Sequence, residues 1–163
     1  MDAVVGLGSN LGDRQAELAL ALGALEPLGR VLGRSALYET EPVGPPQPAF
    51  LNAAARITTE LAPEALLREL LGIERRRGRV RRERWGPRNI DLDILWIAGV
   101  VVALPELVVP HPELRRRPFA LRPLLDVAPE ASDPCDGVAY RDVLAGFGAE
   151  SSLKIAAEPD AWP

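Results

Sequence analysis

This 163-residue chain has few cysteines, no long apolar run and no basic N-terminal region, and each of these features excludes a class of protein. The chain has one cysteine, Cys135, so an intrachain disulfide cannot form and a cytoplasmic location is expected. No apolar run approaches the roughly 20 residues needed to cross a bilayer. No basic residue precedes the first apolar stretch, so no signal peptide is expected. Apolar residues nevertheless make up 47% of the chain, which excludes intrinsic disorder and suffices for one compact domain.

Lysine is scarce, and much of the positive charge is concentrated in one segment. The chain carries a net charge of −4 and has a single lysine, Lys154, so general attraction to nucleic acid is not expected. Residues 75–88, in contrast, contain eight arginines and one glutamate, a net charge of +7. A basic segment in an acidic chain suggests a local anionic ligand, and a solvated helix end is the alternative interpretation.

Hydrophobic periodicity predicts an alternating run of strands and helices. Strands are expected at residues 3–8, 30–38, 50–59 and 90–97. One helix is expected after an N-cap at Asn10 or Asp13, and another is expected to start at Pro63. The order strand, helix, strand, strand, helix, strand is the split βαβ pattern of ferredoxin-like folds. We therefore predict an α+β fold, an α/β sandwich with a mainly antiparallel sheet and helices packed on it.

The rest of the chain predicts loops and smaller elements. Four prolines in residues 41–48 exclude regular structure there. A hairpin and two short helices are expected between residues 100 and 145. We expect a single domain over residues 3–148 and a weakly ordered tail over residues 149–163.

The segment Asp91-Leu92-Asp93 is the first candidate for chemistry. On a strand, residues i and i+2 point to the same face, so the two carboxylates lie side by side. They repel each other unless a cation lies between them, and hard oxygen ligands at this spacing suit Mg²⁺ bound together with substrate phosphates. Two exposed polar positions on a half-solvated strand are the alternative.

Four arginines precede this carboxylate pair: Arg79, Arg81, Arg84 and Arg88. Guanidinium groups bind phosphate oxygens in bidentate fashion, so the combination favours phosphoryl or nucleotidyl transfer. The glycine loop with Lys-Ser/Thr of P-loop enzymes is absent, so an ATP site would be of another design. The only histidine, His111, lies between two prolines and is a candidate phosphate donor or general acid, or a structural residue.

The glycine-rich segment Gly6-Leu7-Gly8-Ser9-Asn10-Leu11-Gly12 follows a predicted strand and opens a helix. It resembles a relaxed dinucleotide fingerprint, whose glycines let the backbone approach a pyrophosphate. The spacing is weak evidence for that function, because a doubly wound domain needs more alternating strands and helices than this chain offers. A tight strand-to-helix turn is the favoured interpretation, and lining of a ligand pocket is the second.

The segment Arg84-Trp85-Gly86-Pro87-Arg88-Asn89-Ile90-Asp91-Leu92-Asp93-Ile94-Leu95 resembles the signature of the 6-hydroxymethyl-7,8-dihydropterin pyrophosphokinase family. Further likenesses cover most of residues 3–145 and lie in residues 6–12, 38–45, 50–54, 73–79, 109–111 and 117–119. The resemblance implies transfer of the β,γ-diphosphate of ATP to the hydroxymethyl oxygen of the reduced pterin, with release of AMP, in folate biosynthesis. The implied substrates are ATP and the reduced pterin.

For the phosphate half of the site, the resemblance implies that Asp91 and Asp93 hold two Mg²⁺ ions bridging the triphosphate. It implies contacts to phosphates or to the transferred group by Arg79, Arg81, Arg84, Arg88, His111 and Arg117. Glu74 is expected near the nucleotide.

For the pterin half, the resemblance implies that Phe50 and Phe119 stack on the two faces of the ring. Asn52 is expected to bind its polar edge, with help from the backbone around Thr40 and Val43.

The chain departs from the family pattern at four places. Pro112 stands where tyrosine often follows the histidine, and Phe50 where tyrosine is common. Glu106 falls where a basic ATP contact can occur, and residues 81–85 form a loop that is one residue shorter than usual. None of these changes removes the metal pair or the stacking pair.

Two other classes of function fit parts of the sequence. A small RNA-binding module would use a ferredoxin-like fold and the arginine run, but the acidic remainder of the chain opposes it. A dinucleotide-binding fragment would use the early glycines. The leading prediction is a monomeric, cytoplasmic pyrophosphokinase with no membrane or nucleic-acid partner.

Overall fold

The computed structural model describes residues 1–42, 44–78, 89–151 and 153–162. The strands are β1 (Asp2–Ser9), β2 (Arg30–Arg34), β3 (Leu37–Thr40), β4 (Phe50–Thr58), β5 (Asp91–Ile97), β6 (Val102–Ala103), β7 (Val108–Val109) and β8 (Lys154–Ala157). The α-helices are α1 (Arg14–Leu25), α2 (Pro63–Arg76), α3 (Pro118–Val127) and α4 (Tyr140–Ala145).

Local signals start the two main helices where the sequence predicts them. Asp13 is the N-cap of α1, and its side chain accepts a hydrogen bond from the backbone N–H of Ala16 at 3.1 Å. Pro63 is the first residue of α2, a position where its missing N–H costs nothing. Of the two predicted caps for α1, the structure therefore selects Asp13.

The main sheet has the strand order β5-β1-β4-β3-β8, and β2 also pairs with β4. All of these pairs are antiparallel. The single strand predicted over residues 30–38 is two strands, because the chain leaves the ladder between Arg34 and Leu37. Taken together as one strand, β2 and β3 complete the ferredoxin-like arrangement of the first four predicted strands, and the predicted α+β fold is confirmed.

Helices cover both faces of this sheet. Helices α1 and α2 pack on one face over a core that contains Leu18, Leu66 and Ile97. Helices α3 and α4 pack on the other face around Leu121 and Tyr140. The sheet is therefore the middle layer of three, and side chains that alternate along a strand enter different cores.

The C-terminal residues differ from the expected weakly ordered tail. Strand β8 pairs with β3 at the edge of the sheet. Trp162 is 1% exposed and donates from its indole Nε1 to the backbone oxygen of Ser35 at 2.9 Å. Since β3 would otherwise present unpaired backbone groups along that edge, β8 satisfies them. Within the described ranges, none of the helices combines the length and apolarity that crossing a bilayer requires.

Candidate active site

A pocket collects side chains from four strands and from the start of α3. Its lining includes Thr40 from β3, Phe50 and Asn52 from β4, Asp91 and Asp93 from β5, and Arg117 and Phe119 at the beginning of α3. These seven residues are spread over about half of the chain, and the sequence predicts every one of them as part of the site. The structure brings all seven together.

Two glycines of β1 form the floor of this pocket. Gly8 lies opposite Asp91 on one neighbouring strand and opposite Asn52 on the other. Gly6 lies opposite Asp93 in the same way. A Cβ atom at Gly8 would lie 3.3 Å from the Oδ1 atom of Asn52, and a Cβ atom at Gly6 would lie 3.1 Å from the Leu95 side chain. The missing side chains therefore leave room above the sheet between the carboxylates and the amide.

For the glycine-rich segment, a tight strand-to-helix turn is the favoured prediction and lining of a ligand pocket is the second. Gly6 and Gly8 lie inside β1, within the strand predicted over residues 3–8, and both line the pocket, which agrees with the second prediction. Only Gly12, with a φ of 68°, has the left-handed backbone of a turn. The signal for a pocket floor is the spacing of two residues, which places both glycines on the same face of a strand.

The two carboxylates of β5 are half-buried and point into the pocket. Leu92 between them points to the opposite face and packs in the core against α1 and α2. Its backbone N–H donates to Oε1 of Glu74 at 3.0 Å. Glu74 is 3% exposed and lies behind β5 rather than in the pocket lining. Glu74 thus supports the strand at the residue that separates the two aspartates.

The carboxylate pair fits a cation that is shared with a ligand. In the part of the chain that the structure describes, no group of three His, Cys, Asp or Glu side chains could hold a metal ion alone. Asp91 and Asp93 supply hard oxygen ligands from one face of one strand. Such a pair leaves most coordination positions of Mg²⁺ to phosphate oxygens and water.

On the other side of the glycine floor, the pocket is aromatic and polar. The Asn52 Nδ2 atom donates to Oγ1 of Thr40 at 2.6 Å, which fixes the orientation of the amide. Phe50 and Phe119 come from different elements and both line the pocket. The Arg117 guanidinium carbon lies 5.6 Å from the centre of the Phe119 ring, so this arginine lies beside the aromatic part of the pocket.

His111 lies near these groups but outside the lining of this pocket. Its backbone N–H donates to Leu95 O at 2.9 Å, and its Nδ1 atom accepts from the backbone N–H of Glu113 at 3.1 Å. In the neutral ring the proton is therefore on Nε2. Burial lowers the pKa of His111, and the positive charge of Arg117 lowers it further, while Asp91 and Glu113 oppose the shift. These influences show that the imidazole is within electrostatic reach of Asp91 and Arg117.

Five predicted site residues lie outside the described residues: Val43, Arg79, Arg81, Arg84 and Arg88. Three lining residues were missed by sequence reasoning: Glu41, Ala53 and Leu95. Ala53 and Leu95 carry no chemical signal, and only the packing of the sheet brings them to the pocket.

Comparisons with known proteins agree on one family. The model of the family described as 7,8-dihydro-6-hydroxymethylpterin-pyrophosphokinase (HPPK) matches residues 4–129. The chain is 50% identical over 134 residues to the 2-amino-4-hydroxy-6-hydroxymethyldihydropteridine pyrophosphokinase of Methylorubrum extorquens, which covers 78% of this chain and 83% of that one. It is 45% identical over 144 residues to the protein of the same name from Pseudomonas aeruginosa, with coverage of 86% and 88%.

A similar fold is found among solved structures. The crystal structure of Plasmodium falciparum HPPK-DHPS with pteroate matches with a TM-score of 0.72 and 18% identity. The match covers 90% of this chain and 42% of that longer chain, so this chain spans less than half of it. At this identity the likeness concerns the fold alone.

Proposed function

The chain belongs to the 7,8-dihydro-6-hydroxymethylpterin-pyrophosphokinase family, and from that premise we propose that the pocket holds the reduced pterin beside magnesium-bound ATP. The reaction of a pyrophosphokinase in folate biosynthesis moves the β,γ-diphosphate of ATP to the hydroxymethyl oxygen of the pterin. One observation carries the assignment of the pocket: the glycine floor separates two carboxylates from an aromatic and amide-lined half.

The aromatic half suits a flat heterocycle. Phe50 and Phe119 offer ring faces for stacking on the pterin. The amide of Asn52, held by Thr40, offers a donor and an acceptor to the polar edge of the ring. These contacts would fix the orientation of the pterin before the reaction. Correct positioning of the reactants is a large part of the rate enhancement when the enzyme forms no covalent intermediate.

The carboxylate half suits the triphosphate. Asp91 and Asp93 would hold Mg²⁺, which when bound would neutralise charge on the phosphate oxygens. Arg117 lines the pocket beside Phe119, where its charge would stabilise the group being transferred. The neutral His111 ring would donate from Nε2 to a phosphate oxygen. Roles for Arg79, Arg81, Arg84, Arg88 and Val43 follow from the family resemblance only.

The nucleotide that is formed from ATP shows which group is transferred. The purified protein is incubated with MgCl₂, ATP and 6-hydroxymethyl-7,8-dihydropterin, and the nucleotides are separated by chromatography. AMP and the pterin diphosphate should appear in equal amounts. Formation of ADP would overturn diphosphate transfer.

The carboxylate pair is tested by Asp93→Ala and Asp91→Ala. Both side chains are half-buried at the edge of the pocket, so the variants should fold. Because each replacement removes a ligand of the ion that neutralises the phosphates, turnover should fall by at least about a hundredfold. Circular dichroism provides the control for folding. A folded Asp93→Ala variant with wild-type turnover would refute the metal role.

A further inference from the structure

The connection between β3 and β4 joins two of the residues assigned to the pterin. Thr40 is the last residue of β3 and Phe50 is the first residue of β4, and the two are paired across the ladder. The chain between them contains four prolines and forms no strand or helix where it is described. The positions of Thr40 and Phe50 therefore depend on how the two ends of this connection are held.

Arg14, in the first turn of α1, contacts both ends. One terminal nitrogen of its guanidinium donates to the backbone oxygen of Ala49 at 2.9 Å. The other donates to the carboxylate of Glu39 at 3.3 Å. Glu39 directly precedes Thr40, and Ala49 directly precedes Phe50. The planar guanidinium of Arg14 therefore links β3 to the residue that precedes β4, next to the Thr40–Phe50 pair.

Asn10, in the glycine-rich segment, contacts the end of the connection that leads into β4. Its Nδ2 atom donates to the backbone oxygen of Pro48 at 3.0 Å and to Oε1 of Gln47 at 2.8 Å. Asn10 is 1% exposed, whereas Gln47 is half-buried and Pro48 is exposed, so a buried amide holds the outer part of the connection. Asn10 immediately follows β1, the strand whose glycines form the pocket floor.

We propose that Asn10 and Arg14 are positioning residues for the pterin: they fasten the β3–β4 connection to β1 and α1 and so set Thr40 and Phe50 in place before the pterin binds. This inference rests on the proposed function of the pocket. Neither side chain lines the pocket, so both act through the residues they hold. When the connection is already held in place, pterin binding does not have to order it, so less conformational entropy is lost on binding. The affinity for the pterin should therefore increase, and the affinity for ATP should not.

Substitution of Arg14 separates positioning from general stability. Arg14→Lys keeps the charge but cannot bridge Glu39 and Ala49, because the ammonium lacks the planar fork. The KM for the pterin should rise about 3- to 10-fold, the loss of roughly one hydrogen bond, while kcat and the KM for ATP change less than about twofold. Asn10→Asp, which places a carboxylate against the two acceptor oxygens, should shift the pterin KM in the same direction.

The matched control is Arg34→Lys. Arg34 also donates to a backbone oxygen, that of Pro159 at 2.8 Å, which lies outside the β3–β4 connection. This variant should leave the pterin KM unchanged. An unchanged pterin KM in Arg14→Lys, or equal rises for ATP and pterin, would overturn the proposal.

Amide hydrogen exchange without ligands tests the fastening directly. In Arg14→Lys, amides at residues 39–40 and 49–51 should exchange faster than in the wild type and in Arg34→Lys, while amides in the middle of β4 keep their protection. Equal exchange in all three proteins would overturn the fastening. A wild-type protein that forms no AMP would instead overturn the proposed function and leave the exchange result intact.

Discussion

At the scale of single residues, the pocket depends on what is missing as much as on what is present. Gly8 lies between Asn52 and Asp91, two residues proposed for opposite halves of the site. A side chain at this position would project into the space between them. Its backbone is not in the left-handed region, so the glycine is explained by space and not by conformation.

Gly8→Ala should therefore impair pterin binding with little loss of stability. The new Cβ would lie 3.3 Å from Asn52 Oδ1, so the amide must shift by a few tenths of an ångström, and 3.7 Å from Phe50 Cδ1, an ordinary van der Waals contact. The KM for the pterin should rise about tenfold, equivalent to roughly 1.4 kcal/mol. Gly33→Ala is the control, because a Cβ there meets no atom within 4 Å. Equal kinetics in the two variants would exclude Gly8 as a floor residue.

His111 adds a pH dependence to the stability of the metal-free protein. Its pKa in the folded chain is below 6.5, so between that lower pKa and 6.5 the unfolded ring binds a proton that the folded ring does not. Stability is complete above pH 6.5 and falls as the pH drops through this window.

The histidine contribution is isolated by substitution, because His111 is the only histidine in the chain. Urea unfolding at pH 7.5 and pH 5.5 should show a smaller loss of unfolding free energy in His111→Gln than in the wild type. The same loss in both proteins would show that burial of the neutral ring does not contribute.

At the scale of elements, the last strand extends the sheet and fixes a large side chain. Trp162 follows β8, packs in the core shared with α1 and α2, and has Arg34 above its ring at 5.6 Å. Strand β8 also brings Lys154 to within 3.7 Å of Glu39, the residue that Arg14 contacts. The C-terminal residues thus support the strand that leads into the pterin half of the pocket.

Trp162→Ala should destabilise the fold by about 3 kcal/mol, the typical cost of removing a buried tryptophan. The control is Ile155→Ala on β8, because Ile155 is 46% exposed and should cost under about 1 kcal/mol. Urea unfolding measures both values. A Trp162→Ala protein as stable as the Ile155→Ala protein would show that the C-terminal residues are not part of the core.

At the scale of the whole molecule, the two cores serve different purposes. The core under α1 and α2 lies on the face of the sheet away from the pocket, where Leu92 points. The core under α3 and α4 lies on the same face as the pocket, and α3 begins between Arg117 and Phe119. A substitution that loosens the core under α3 and α4 should therefore affect the pocket more than one that loosens the core under α1 and α2.

Leu121→Ala and Leu25→Ala test this division. Each leucine is fully buried, the first in the α3 core and the second in the α1 core, so each variant should lose about 2–5 kcal/mol of unfolding free energy. Only Leu121→Ala should also raise the KM for the pterin, because it loosens the helix that carries Phe119. Equal effects on this KM would show that the two layers are coupled through the sheet.

Local sequence pattern was sufficient to predict the strand that carries the two carboxylates and the order of strands and helices. The side-chain period of a strand is two residues, so Asp91 and Asp93 had to share a face whatever the rest of the chain did. The likeness to the family then named Phe50, Asn52, Arg117 and Phe119, which the structure places in one pocket.

Which distant segments meet could not be predicted from local pattern, because it depends on the folded chain as a whole. The role of Gly8 depends on the register of β1 between β4 and β5, and the roles of Asn10 and Arg14 depend on contacts made 25–38 residues away. The C-terminal strand has too little apolar pattern to predict an element, and it becomes one because β3 offers an unpaired edge. Side-chain periodicity and residue chemistry are local and can therefore be predicted from the sequence. Register and edge pairing cannot, because they are cooperative properties of the folded sheet.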